Sequence, residues 1–170
     1  MANKEKLFTT AQKFLSKNQL GRAIKEYQKI VQAFPKEIQH QQKLAELLSR
    51  EKRIEEALKA YEAVAKNYSD SGFYLKAIAV FKQMQRLEPK RADIYLKLAE
   101  LNEKQGLVGN AMTEYRNLVA YYEENNLREE AIQTLEKMAK LDPGNLTVLA
   151  KIVECYQSDE QNDKAFEYFQ

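Results

Sequence analysis

The sequence predicts an all-α fold, an α-solenoid of about ten antiparallel helices. Three observations carry this reading. Apolar and small residues recur at i, i+3, i+4 and i+7, as in Tyr61, Val64, Ala65 and Tyr68, which is the period of one helix face. An alanine followed four residues later by an aromatic or large apolar residue returns six times: Ala23 with Tyr27, Ala57 with Tyr61, Ala77 with Phe81, Ala111 with Tyr115, Ala131 with Leu135 and Ala165 with Phe169. The steps from one of these alanines to the next alternate between a long one and a short one. Pro35, Pro89 and Pro143 are evenly spaced and mark sharp stops in an otherwise helical pattern.

Taken in order, the pattern predicts helices over ~4–17, ~20–33, ~37–51, ~54–68, ~73–88, ~91–105, ~108–122, ~127–141 and ~145–158, with a tenth starting near Asn162. The first carries Leu7, Ala11 and Phe14, and Asn18 can take the left-handed conformation that ends a helix. The second stops ahead of Pro35, because the residue before a proline is pushed out of the helical region. The third carries Leu44, Ala45, Leu47 and Leu48. The fourth is apolar over a wider arc, with Ala57, Leu58, Ala60, Tyr61, Ala63, Val64, Ala65 and Tyr68, which predicts packing on two sides. It closes one unit and opens the next. The turn SDSG, with Gly72, precedes the fifth helix, which runs to Pro89. Asp93 caps or charges the start of the sixth, and Gly106 ends it. The seventh repeats the two-sided pattern with Ala111, Met112, Tyr115, Leu118, Val119 and Tyr122. EENN leads into the eighth, which Pro143 and Gly144 break.

The recurring alanine has a steric reason, since two helices that cross closely need a small side chain at the contact. The preceding helices supply Ala11, Ala45, Ala65 and Ala99 opposite it, with Val119 and Val153 as departures. An aromatic, an apolar and a small residue on one helix, then Ala-x3-aromatic and a closing proline on the next, resembles the tetratricopeptide repeat over nearly the whole chain. The resemblance implies helix pairs stacked as a right-handed superhelix. It also implies a non-enzymatic scaffold that holds a partner peptide or helix on its concave face. Where the family usually has a second alanine, seven places after the first, this chain has Ile30, Val64, Met84, Leu118 and Met138. That predicts wider spacing between units or altered curvature.

The full period takes in three helices rather than two. KLAEL at 43–47 returns at 97–101, and Ala77, Met84, Leu87 and Pro89 return as Ala131, Met138, Leu141 and Pro143. Positions 1–170 are expected to form one repeat domain, with units of about 4–36, 37–90, 91–144 and 145–170.

Composition narrows the function. With 27 basic against 25 acidic residues and a net charge of +2, nothing favours nucleic acid, and the alternating charges read as solvated helix faces. One cysteine provides neither a disulfide framework nor a metal cluster. No apolar run has the length of a membrane span, and the N-terminus lacks a signal-peptide core, so a cytoplasmic protein is expected. The expected partner is a protein or peptide, with no nucleic acid, no membrane and no cofactor.

Candidate binding residues come from the recurring columns. Lys43, Lys97 and Lys151 fall one period apart, as do Glu46, Glu100 and Glu154. A charged groove on these helices would present Gln39, Gln42, Lys43 and Glu46, then Asp93, Leu96, Lys97 and Glu100, then Lys151. The competing account is stronger: Lys and Glu three apart form a weak exposed pair worth ~0.2–0.5 kcal/mol. Some members of the resembled family clamp a C-terminal carboxylate with Lys, Asn and Arg. Lys43 and Lys97 occupy clamp-like places, but Phe8, Gln12 and Asp93 stand where other clamp residues would be, so the clamp is not expected. Phe73 and Tyr74, whose counterparts are Leu127 and Arg128, are candidates for a contact surface.

The last helix ends in apolar residues where solenoids finish with a polar cap. This predicts either a fragment of a longer repeat protein or self-association through Phe166 and Phe169, the alternative function. Cys155 falls in a column with Leu47 and Leu101 and reads as a small buried hydrophobe. His40 aligns with Ile94 and Val148 and has no second histidine for metal or relay chemistry.

Overall fold

The computed structural model describes residues 2–158 and 162–168. It contains α1 (Ala2–Ser16), α2 (Leu20–Ala33), α3 (Ile38–Arg50), α4 (Ile54–Asp70), α5 (Tyr74–Leu87), α6 (Ala92–Lys104), α7 (Val108–Glu124), α8 (Arg128–Leu141), α9 (Leu146–Ser158) and α10 (Asn162–Glu167). No strand occurs among the described residues. The all-α expectation holds, and the helix ends fall close to those read from the sequence. The bounds themselves repeat: α3, α6 and α9 begin at the evenly spaced Ile38, Ala92 and Leu146.

Two kinds of chain reversal make this pattern. In the first, a single residue beyond the helix turns to positive φ: Asn18 at 52°, Lys52 at 59°, Gly72 at 77°, Gly106 at 69° and Asn126 at 58°. The next amide then donates back to a carbonyl in the last turn. Gln19 reaches Phe14 at 2.9 Å, Arg53 reaches Leu48 at 2.9 Å, Phe73 reaches Tyr68 at 2.8 Å, Leu107 reaches Asn102 at 2.9 Å and Leu127 reaches Tyr122 at 2.8 Å. This is the Schellman closure, which satisfies carbonyls a helix end would otherwise leave bare. Each positive-φ residue sits five before a recurring alanine. Lys52 carries no glycine or asparagine signal, so only the structure reveals that this turn has the same form.

The second reversal is set by proline. Helices α2, α5 and α8 stop just short of Pro35, Pro89 and Pro143. The residues between, Phe34, Glu88 and Asp142, have φ of −131°, −139° and −139°. The proline ring pushes its predecessor out of the helical region.

The chain divides into two compact units, Met1–Pro89 and Lys90–Gln170. In the first, α1 packs on α2, α2 on α3, α3 on α4 and α4 on α5. In the second, α6 packs on α7, α7 on α8, α8 on α9 and α9 on α10. All six recurring alanines are buried, as are Ala11, Ala45, Ala65, Ala99, Val119 and Val153 opposite them. The larger side chains seven places after the alanines, Ile30, Val64, Met84, Leu118 and Met138, are buried too. Each such side chain contributes about 1.5–3 kcal/mol of burial.

Two expectations follow from this packing. Ala77→Leu and Ala111→Leu force an isopropyl group into closed crossings, and each should cost ~1–3 kcal/mol in urea unfolding. Unchanged midpoints for both would show that the crossings tolerate width. Helices α4 and α7 are each held between two neighbours, whereas α1 and α10 lie at unit ends. Amide exchange should therefore be slower in α4 than α1, and slower in α7 than α10; the reverse order would contradict the stacking.

Candidate functional site

The expected binding residues divide between the units. On α3, Gln39 is exposed, and Gln42, Lys43 and Glu46 are half-buried. Lys43 Nζ lies 3.1 Å from Glu46 Oε2, the local pair that i, i+3 spacing allows. Glu46 also faces two tyrosines. Burial holds the Tyr27 hydroxyl above its usual range, against a lowering hydrogen bond from Gln12, and the Glu46 charge adds to the rise. Tyr61 is raised by burial and then by Glu46.

On α6, the Asp93 carboxylate lies 2.6 Å from the Arg91 guanidinium, and Lys97 lies 3.0 Å from Glu100. Leu96 packs against the core of its unit. Glu100 lines a polar recess with Glu103, Tyr115, Lys137 and Lys140. Burial, followed by hydrogen bonding to Glu103, pushes the Tyr115 hydroxyl well up.

Lys151 departs from the column. Its ammonium lies 2.8 Å from Glu123 Oε1 on α7 instead of pairing with Glu154. A tie between helices is invisible to spacing within one helix. Phe73 is the residue that closes the Gly72 turn, where the other turns place Gln19, Arg53, Leu107 and Leu127. It is 54% exposed, and Lys76 Nζ sits 4.9 Å from its ring centroid. Tyr74 is half-buried. Phe169 and the side chain of Phe166 lie outside the described residues.

His40 is buried in the first unit. Its Nε2 lies 3.0 Å from Glu37 Oε2, and the Phe8 and Tyr27 ring centroids stand 5.9 and 6.4 Å away. Glu37 also takes Lys4 Nζ at 2.6 Å. The hydrogen bond from Lys4 is the main reason its carboxyl lies below the usual range. Cys155 is half-buried, not fully buried as its apolar column suggests. It lines a cleft of ≈ 700 Å³ with Arg128, Lys151 and Glu123, and its carbonyl accepts from Arg128 at 2.8 Å. Burial pushes its thiol up, opposite to what a nucleophile needs. No cluster of three His, Cys, Asp or Glu suited to a metal occurs among the described residues.

The structure opens a groove that the columns did not indicate. In the first unit, Gln28 and Val31 of α2, Gln41, Leu44 and Leu48 of α3, and Glu56, Lys59, Ala60 and Ala63 of α4 enclose ≈ 410 Å³. At about 100° per residue, Gln41, Leu44 and Leu48 run along a different side of α3 from Gln39, Lys43 and Glu46. The floor is apolar and short-chained. At the rim, the Glu56 carboxylate accepts two bonds from the Arg53 guanidinium, at 2.7 and 2.6 Å. Lys59 is exposed and makes no ion pair among the described residues. The signal that could have found this groove is Ala60 and Ala63. The other two-sided helix has Glu114 and Asn117 there, so these alanines are not demanded by packing on two sides.

Two tetratricopeptide repeat profiles match the chain, over residues 63–121 and 41–71. The matches overlap on residues 63–71, the second half of α4. The chain belongs to the tetratricopeptide repeat family. Among these tetratricopeptide helices, α4 packs against both α3 and α5.

No curated protein sequence matches the chain. Among solved structures, MamA is 20% identical, with 99% of this chain and 90% of that chain covered and a TM-score of 0.31. The C-terminal part of a TPR repeat-containing protein from Cytophaga hutchinsonii is 18% identical, with coverage of 98% and 73% and a TM-score of 0.49. YrrB, described as a TPR protein with an unusual peptide-binding site, is 17% identical, with coverage of 84% and 88% and a TM-score of 0.34. No helix among the described residues is long and apolar enough to cross a membrane.

The Lys4–Glu37 contact carries a pH prediction. The Glu37 carboxyl is lowered on folding, so the stabilisation it provides is present above its ordinary value of 4.5 and is lost as pH falls through the lowered value. In Lys4→Ala, NMR titration of Glu37 should move up toward 4.5. An unmoved titration would show that Lys4 is not what holds it.

Proposed function

We propose that this chain is a protein-interaction module whose docking site is the α2–α3–α4 groove of the first unit. Tetratricopeptide repeats act in general as scaffolds for protein partners, typically without catalysis. The observation that carries the choice of site is the groove itself: an apolar floor of Leu44, Leu48 and Ala60, continued by the exposed Ala63, inside a polar rim of Gln28, Gln41, Glu56 and Lys59. That is the anatomy of a contact surface, with a desolvated centre and a wet margin. Its walls are three helices already fixed by the core, so little side-chain freedom is lost on binding. The Lys43 side of α3 offers less, because Lys43 and Glu46 already satisfy each other.

The test is capture of a protein partner from native lysate by the full chain and by surface variants. Ala63→Lys places a long charged chain across the floor from an exposed position and should abolish capture. Lys43→Ala and Glu46→Ala should leave it intact. Capture that survives Ala63→Lys but is lost with the two α3 variants would move the site to the charged face.

A further inference from the structure

The groove has a counterpart within the same chain, and the counterpart holds two tyrosine rings. Helices α8, α9 and α10 repeat α2, α3 and α4 two periods later, beginning at Arg128, Leu146 and Asn162 against Leu20, Ile38 and Ile54. At corresponding positions, Tyr156 stands for Leu48, Tyr168 for Ala60 and Glu136 for Gln28. The two tyrosine rings stack, with centroids 6.2 Å apart and planes 21° from parallel. Their hydroxyls donate to the same Glu136 Oε1, at 2.6 Å from Tyr156 and 3.2 Å from Tyr168. Lys164 Nζ lies 5.4 Å from the Tyr156 centroid. This place in the repeat is therefore suited to phenol rings, with a hydrogen-bonding side chain on the first helix of the three to receive the hydroxyl.

In the first unit both rings are absent. Leu48 and Ala60 stand instead in the open groove of ≈ 410 Å³, while the receiving position is kept as Gln28. We propose that this groove takes a tyrosine side chain from an acidic segment of a partner protein. The inference rests on the groove being the docking site.

The ring fills the volume that Tyr156 and Tyr168 fill in the second unit, and its face lies on Leu44, Leu48 and Ala60. Gln28 is uncharged and both donates and accepts, so it pairs with a neutral hydroxyl. The acidic character follows from the rim. Of its two charged residues, Glu56 is bonded by the Arg53 guanidinium and also feels the Lys59 charge, while Lys59 makes no ion pair among the described residues and keeps its ammonium open at the rim. A carboxylate near the tyrosine in sequence reaches Lys59, whereas a basic segment is repelled there.

The experiment uses the full chain as bait for a random peptide library displayed on phage, with Ala60→Tyr as the counter-bait. That variant rebuilds what Tyr168 provides, and circular dichroism checks that it is folded. Enriched peptides should carry a tyrosine with Asp or Glu nearby and should lose binding to Ala60→Tyr. Fluorescence anisotropy on the enriched peptide then reads two more changes. Lys59→Glu, at an exposed position, should weaken binding roughly fivefold. Replacing the peptide tyrosine with phenylalanine should weaken it roughly threefold to tenfold. Peptides that are sensitive to Ala60→Tyr but lack tyrosine, or favour Lys and Arg, overturn this inference and leave the docking site standing. Enrichment indifferent to both Ala60→Tyr and Lys59→Glu overturns the inference and the docking site together.

Discussion

Close approach of paired helices at a single alanine is the constraint on which the rest of this structure depends. Helix axes pack roughly 8–10 Å apart, and where they come nearest only a small side chain fits on each surface. Here the contact is fixed in height as well as in width. Every positive-φ residue described lies five positions before an alanine, which places the crossing about 7.5 Å along from the turn. The turn and the crossing are therefore one device. A wider residue at Ala57 or Ala111 would splay the helix pair from the hairpin outward, and an unsuitable turn residue would move the alanine off the contact.

The same device explains why the period takes in three helices. Helix α4 follows one tight hairpin and leads into another, as does α7, before a proline link intervenes. Such a helix needs two apolar faces, and one side chain set serves both. Ala57, Tyr61 and Val64 are buried, as is Ala65 of the overlapping ladder. Proline links then change the local path, because Phe34, Glu88 and Asp142 are held out of the helical region. Two hairpins and one proline link complete each period, and the two repeat matches overlap on the second half of α4.

Much of the fold was legible because its determinants are local and steric. Pro35, Gly72 and Gly106 act on their own backbone, and each recurring alanine announces a contact by its size. What was not legible involves either partners from elsewhere or missing volume. Lys151 has Glu154 three places on, yet it pairs with Glu123 on α7, and no spacing within α9 encodes that. Cys155 shares its column with two leucines, but it faces a cleft edged by Arg128 and Lys151, which no neighbour in sequence reveals. Lys52 adopts φ 59° because the flanking helices fix the hairpin, not because its side chain favours it. The groove is hardest of all, since it consists of side-chain atoms that Ala60 and Ala63 do not have.

Equivalent positions also separate what the fold requires from what it permits. At the alanine crossings the periods agree, because disagreement would break the packing. At positions 48, 102 and 156 they do not: leucine, asparagine and tyrosine stand there. At 60, 114 and 168 stand alanine, glutamate and tyrosine. Each answer is stabilised differently. Asn102 turns its amide onto the Leu98 carbonyl at 2.7 Å, Tyr156 and Tyr168 stack on each other, and Leu48 with Ala60 leaves space. Leu48, Asn102 and Tyr156 are all buried, so packing demands burial at that position without fixing its chemistry. Beside Leu48 in the first unit, Ala60 opens the surface onto the groove.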